Sequence, residues 1–271
     1  MKKRTLFILS AFVILASCND KHERRNEEKS SWVEKVVTTD NGPMQHKEVT
    51  GDFDEIQVSQ AIEAVVIKSD VEKVEISAPQ NIINEILVDN DGGKLHIHYK
   101  SGIRVINTTK VTAKIYAKDF KKLLADSAAS IEVKDKFTQE KTDIEVSSAA
   151  SISGNLEAND MDINISSSSN FSGKVWAVNL GVESSSGSSL EISGKAKKAE
   201  ISASSGSSIS AKDVIAEHVE ADASSGASIH VAAVSSVKAE ASSGGSVTIS
   251  KKGELTSVTK DESSGGSVTI Q

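Results

Sequence analysis

The sequence predicts an all-β protein, a right-handed parallel β-helix (β-solenoid) with coils of roughly 20 residues, its first coils longer and less regular. Three observations point there. An apolar residue follows each Ser/Gly cluster, at Ile131, Ile152, Phe171, Leu190, Ile209, Ile229, Val247 and Val268, with spacings of 21, 19, 19, 19, 20, 18 and 21. Around these anchors apolar and polar residues alternate with period two, the mark of half-buried strands. Aromatics are only 4% of the chain and Pro 2 residues, so the core must be thin and built from small and β-branched side chains.

The elements follow in order from the N-terminus. Met1-Lys2-Lys3-Arg4 is a positive segment, and Leu6 to Ala16 is an almost unbroken apolar run. That run falls well short of the ~20 residues a membrane-spanning helix needs, but it suits a signal peptide. It leads into Leu15-Ala16-Ser17-Cys18, which reads as a lipobox, and Cys18 is the chain's 1 cysteine. Residues 1–17 are therefore expected to be a lipoprotein signal peptide and Cys18 the lipidation site, its acyl chains buried in a membrane leaflet. One cysteine permits no intramolecular disulfide, so stability must come from packing. Residues 18–44 are expected to form the lipidated Cys and a flexible tether, being charged and polar from Asn19 to Ser31, and residues 45–271 the solenoid head.

Between His46 and Phe120 short alternating runs such as Phe53-x-x-Ile56-x-Val58, Val65-x-Ile67, Val74-x-Ile76, Leu95-x-Ile97-x-Tyr99 and Val111-x-Ala113-x-Ile115 read as strands. Asn81 to Val88 is the one stretch that admits a single helical turn. In the repeats, Leu190 and Ile192 should point inward and Glu191 outward, as should Ile229, Val231 and His230 in their coil. Gly187, Gly206, Gly226 and Gly244 fall where the chain must turn a corner, a place that often takes positive φ. Eight anchors stacked about 4.8 Å apart make an array about 34 Å long, and coils that bury little alone must be stacked to be stable.

The segments DFDEIQVS (52–59), VVIKSDVEKVEISAP (65–79), GGKLHIHYK (92–100) and KVTAKIYAKDFKKLLADSAASIEV (110–133) resemble the putative auto-transporter adhesin head GIN domain family. The SSG coils, the lipobox and the ending GSVTIQ are similar to that family's lipoprotein members. The resemblance implies the solenoid fold and an adhesin-like role; its motifs are structural and bring no site residues with them.

The candidates for chemistry are few. His96 and His98 share a strand face, but zinc needs a third ligand and none is spaced for it, so exposed strand-face histidines are expected. Glu183, Asp222, Glu240 and Asp261 each lie four residues before a cluster Gly and would form a partial ladder able to hold calcium between coils. Ser202 interrupts that ladder, and solvated carboxylates are the expectation. The recurring serines lack a GxSxG elbow, and clusters such as Ser224-Ser225-Gly226 recur in every coil, whereas an active site would be singular. The outward positions Glu191, Ser210, His230, Thr248 and Thr269 give no continuous Thr face. No catalytic residue, cofactor or metal site is therefore expected.

The chain has 31 basic and 38 acidic residues; without Lys2, Lys3 and Arg4 this becomes 28 against 38, or −10, a poor match for nucleic acid. The expected function is that of a non-enzymatic, adhesin-like interaction module of the cell envelope, lipid-anchored at the outer membrane, with a protein or glycan ligand. The alternatives are a carbohydrate-active β-helix enzyme, which needs a carboxylate-lined cleft, and an envelope scaffold or sensor with no external ligand. The strand Val268-Thr269-Ile270 has no successor and is expected to offer an open edge for a weak homodimer or a strand-adding partner.

Overall fold

A computed structural model describes residues 35–38, 42–106 and 111–271. From residue 130 onward the chain is a β-solenoid. The strands Ser130–Val146, Ser151–Ile165, Asn170–Ser184, Ser189–Ala203, Ser208–Ala223 and Ser228–Ala241 each make nearly one full coil. The last coils are completed by Ser246–Lys251, Ser257–Glu262 and Ser267–Ile270. Every strand pairs in parallel with its counterpart one coil on, and the eight anchors stack in a single file from Ile131 to Val268. All eight are buried. The inward column thus follows directly from the spacing of apolar residues in the sequence.

The corner between coils is a tight turn with two consecutive left-handed residues. Gly187, Gly206, Gly226 and Gly244 have φ of 70, 70, 74 and 75°, and the serine before each is left-handed as well. In the earlier coils the same pair is Ser127–Ala128, Ser148–Ala149 and Ser167–Ser168, with no glycine at all. Each turn is closed by an N–H donating to the carbonyl three residues back, from Ala129 to Asp126 through Gly266 to Ser263, over 2.8–3.3 Å. Two positive φ values closed in this way mark a type I′ turn. A left-handed non-glycine residue costs about 1–2 kcal/mol. What offsets it is a second ladder running through the turn tips. The N–H groups of Ala128, Ala149, Ser168, Gly187, Gly206 and Gly226 donate to the carbonyls of Ser148, Ser167, Ser186, Ser205, Ser225 and Ser243 over 2.9–3.2 Å.

Inside each turn the fourth residue must be small. The position is occupied by Ala129, Ala150, Ser169, Ser188, Ser207, Ala227, Gly245 and Gly266. At Gly245 even a Cβ would lie 2.2 Å from the Ala223 carbonyl oxygen. The buried serines of this column satisfy their hydroxyls on carbonyls of the preceding coil: Ser169 on Val146 (2.8 Å), Ser188 on Ile165 (3.2 Å) and Ser207 on Ser184 (2.8 Å).

The N-terminal part departs from a simple parallel solenoid in two ways. Antiparallel pairs join Met44–Thr50 to Lys73–Pro79, Lys73–Ser77 to Thr112–Tyr116, and Ile86–Asp91 to Lys94–Tyr99. The coils also stack out of chain order. Glu55–Val58 lies between Lys94–Ile97 and Lys122–Ala125, and Glu63–Lys68 between Thr112–Ala117 and Ser130–Val133. The outer strand Met44–Thr50 is almost wholly exposed and carries His46, Lys47 and Glu48, charges that discourage pairing at a free edge. Asn81 to Val88 contains the single turn its sequence admits, a 3-10 turn at Ile83–Glu85. A separate parallel pair joins Lys35–Thr38 to Ile103–Ile106.

Ile229 is 2% exposed and stacks on Ile209, whereas the neighbouring His230 points outward and shares a hydrogen bond with Ser250 Oγ at 2.9 Å. Ile229→Asp should therefore cost several kcal/mol, about the penalty of burying a carboxyl without a partner. His230→Asp should cost about 1 kcal/mol or less, the worth of one hydrogen bond. Urea unfolding of the two variants checks the register, which equal losses would contradict.

Candidate functional site

Because inward positions are committed to the core, chemistry resides in outward columns. One runs down the solenoid just before the turns: His96, Gln57, Leu124, Glu145, Asn164, Glu183, Ser202, Asp222, Glu240, Asp261. Glu183, Asp222, Glu240 and Asp261 do share this column, with Ser202 between the first two. With Glu145, Asn164 and the turn serines, Glu183 and Asp222 border a shallow groove of about 890 Å³, which Glu240 and Asp261 lie beyond. A neighbouring column places Lys238 against Glu220 at 2.6 Å, and the same ammonium reaches Glu240 at 3.0 Å. These contacts hold the Lys238 ammonium above and the Glu220 carboxyl below their ordinary ranges. Glu240 is thus partly neutralised, and among the described residues no group of three or more His, Cys, Asp or Glu is placed to hold a metal ion.

The top of the column holds a half-buried polar chain drawn from three separate segments. The rings of His96 and His98 stack with centroids 4.1 Å apart. His96 Nε2 lies 2.9 Å from Ser59 Oγ, and that hydroxyl donates to Asp126 Oδ2 at 2.8 Å, which also accepts from Gln57 Nε2 at 3.0 Å. Ser, His and Asp meet here in the wrong order for nucleophilic catalysis. The one Ser59 proton goes to Asp126, so His96 must donate to Ser59 rather than accept from it. Burial and the His98 charge lower the His96 pKa. Burial would raise Asp126, but hydrogen bonds from Ser59, Gln57 and Ser127 outweigh it and hold the carboxyl below its usual range. The histidines are not the exposed strand-face pair their sequence positions suggest: both are half-buried, and His98 pairs with Asp89 Oδ2 at 3.0 Å across the hairpin.

A third surface lies on the opposite half of each coil. Trp176 sits between buried Val175 and Ala177 and is 46% exposed. Its register partners are Glu157 on one side and Lys195 on the other, and Lys195 in turn pairs with Ile215, 42% exposed. Lys174 stands two residues before Trp176 on the same face, and Lys136 bridges to Glu157 at 2.7 Å. Together with Asn155 and Asp213 they border a groove of about 740 Å³. Sequence reading passes over this residue, although its place between two inward positions of an alternating strand was a signal that its indole faces out.

At the far end Ser267–Ile270 pairs with Ser246–Ile249 on one side, and no strand lies on its other side among the described residues. Cys18 lies outside the described residues.

The family model described as "Putative auto-transporter adhesin, head GIN domain" matches residues 52–253. The chain belongs to this head GIN domain family. Its solenoid is similar to three crystal structures. One is of a putative adhesin from Parabacteroides merdae, with a TM-score of 0.80 at 19% identity over 87% of this chain and 99% of that one. Another is of a putative lipid binding protein from Parabacteroides distasonis, with 0.79 at 20% over 88% and 100%. The third is of a putative adhesin from Bacteroides fragilis, with 0.64 at 17% over 87% and 100%. No match was found among curated proteins. At these identities the likeness establishes the fold. The head GIN family description is adhesin-like and points to the cell envelope or surface rather than to an enzyme.

The lowered His96 pKa has a sign. The neutral form is favoured in the fold, so the stability it contributes is complete above the unfolded value of about 6.5 and is lost as pH falls through the lower folded value. Melting temperatures of the native chain should therefore drop on acidification below about pH 6.5, and His96→Gln should flatten that dependence. Identical pH profiles for the two would contradict the assignment.

Proposed function

We propose that this chain is a non-enzymatic cell-envelope lipoprotein whose solenoid serves as an adhesin-like interaction module. The observation that carries this reading is the uniformity of the coils. Anchors 18–21 residues apart leave no insertion between Ile131 and Val268 long enough to wall a catalytic cleft, and the outward residues line up in columns that make long faces along the axis. Such faces suit a partner that spreads along the solenoid axis. The hydrogen-bond order at Ser59, His96 and Asp126 also supports a structural role for that chain. The adhesin names carried by the family and by two of the similar structures agree with this reading.

In this proposal residues 1–17 are the signal, Cys18 carries the lipid that anchors the protein at the outer membrane, residues up to 44 link anchor to fold, and residues 45–271 present the faces. Cys18→Ala should then release the protein from the membrane fraction or leave the precursor uncleaved. Fractionation followed by N-terminal sequencing checks this, and a processed mutant still held in membranes would oppose the lipoprotein reading. On a broad polysaccharide panel the protein should show no turnover; activity abolished by a single Asp, Glu or His substitution would restore the β-helix enzyme alternative.

A further inference from the structure

The Trp176 groove is the feature that neither the adhesin reading nor the fold accounts for. In a chain with 4% aromatics and 2 tryptophans, Phe53, Phe120, Phe137 and Phe171 are all buried, yet Trp176 is set on the surface. No ring or cation stacks on its indole among the described residues; the ring contacts there involve other aromatics. The coils that flank it supply lysines. Lys136 is engaged by Glu157, whereas Lys174, though near enough to help lower the Glu157 carboxyl, and Lys195 make no ion pair within 4.0 Å among the described residues. The formal net charge of the chain is −7, and the column before the turns is acidic, so a groove with three lysines against Glu157 and Asp213 beside an exposed indole is a local exception.

We propose that this groove binds an acidic glycan, a short run of pyranose units bearing carboxylate or sulfate groups. The proposal rests on the interaction-module reading and names its ligand class. The indole face offers a flat apolar platform for the C–H face of one sugar ring. Lys174 and Lys195 take the anionic groups, while Asn155 and Ser193, their neighbours along the face, offer hydrogen bonds to hydroxyls. The groove spans the five coils from Lys136 to Asp213, about 19 Å along the axis, enough for about three sugar units. Lys174, in register with Ser193, and Lys195, in register with Trp176, stand on adjacent coils in different columns and so present two charges on a diagonal across the indole. Nucleic acid fits poorly. Its continuous phosphate charge needs a broad basic surface, whereas Glu157 and Asp213 border this one. A lipid surface would use the exposed Trp176 and Ile215 as apolar anchors instead, and the test separates the two.

The full chain, purified in detergent, is titrated calorimetrically with a galacturonic acid oligomer, its methyl ester and a sulfated heparin fragment. Saturable binding of at least one acidic probe is expected, weaker by about tenfold or more for the methyl ester and for a Lys174→Gln/Lys195→Gln variant, and declining steeply with salt. Trp176→Ala should abolish binding and Trp176→Tyr restore it in part, with unchanged melting temperatures showing that the exposed substitutions leave the fold intact. Equal affinity for acid and ester, binding indifferent to Trp176→Ala, or no binding of either acidic probe would overturn the proposal. Trp176-dependent binding to phosphatidylglycerol vesicles without glycan binding would overturn it in favour of a lipid surface. An envelope partner retained equally by Trp176→Ala would remove this site while leaving the interaction-module reading standing; no partner recovered by any form would count against that reading itself.

Discussion

The structure depends on the turn between coils. Each turn forces two neighbouring residues into the left-handed region, an arrangement that only stacking makes tolerable. The hydrogen bonds that run from tip to tip, Ala128 to Ser148, Ala149 to Ser167 and onward to Gly226 with Ser243, carry the ladder around the corner as far as the Ser243 tip. From this single constraint much of the composition follows. Serine and glycine dominate the tips because larger residues gain nothing there and suffer in left-handed conformation. The residue closing each turn is Ala, Ser or Gly because the carbonyl of the preceding coil lies against it. Coil lengths stay near one value because a tip that slips out of line loses its bond to the next.

With the interior and corners so committed, variation is confined to outward positions, and the two halves of each coil have diverged. One half carries carboxylates in adjacent columns, several tied by Lys141, Lys198 or Lys238. Exposed ion pairs of this kind contribute about 0–1 kcal/mol each, so they organise charge more than they stabilise. The other half holds Trp176, Lys174 and Lys195. The two halves of the described coils thus differ in character, one rich in carboxylates tied by lysines and the other centred on an exposed indole with lysines, Glu157 and Asp213 around it.

The repeating half was legible in the sequence almost residue by residue. The anchors Ile131 to Val268 and the corner glycines lie where their spacing and chemistry placed them, because a coil one period long leaves one register in which the apolar residues face inward. The serine ahead of each glycine was not read as left-handed, since local chemistry gives no such signal; its conformation is imposed by the neighbouring turn. The N-terminal arrangement was also hidden. Nothing in the alternating runs of 44–117 says which strand they meet or in which direction, and the antiparallel partners Val49 and Val74 or Ile76 and Ala113 are brought together by the ends of the stack. The Asp126, Ser59 and His96 chain escaped for the same reason, being assembled from segments far apart in sequence. Glu183, Asp222, Glu240 and Asp261 were legible as a ladder, but Lys238 beside them was not, because it belongs to the adjacent column.

The displaced segment 55–68 shapes how the molecule must come together. Its partner Lys122–Ala125 lies 67 residues away, as Lys121 with Asp54 shows, whereas successive regular coils meet 19 residues apart, as Thr138 with Glu157 shows. By loop-closure entropy the long contact costs about 1 kcal/mol more than the short one. Assembly of the N-terminal stack is therefore the slow, nonlocal step, and each later coil adds by a brief local closure onto a template already laid. The rod consequently has a beginning that must be built whole and a body that can gain or lose single coils, so its length is free to vary in one direction only.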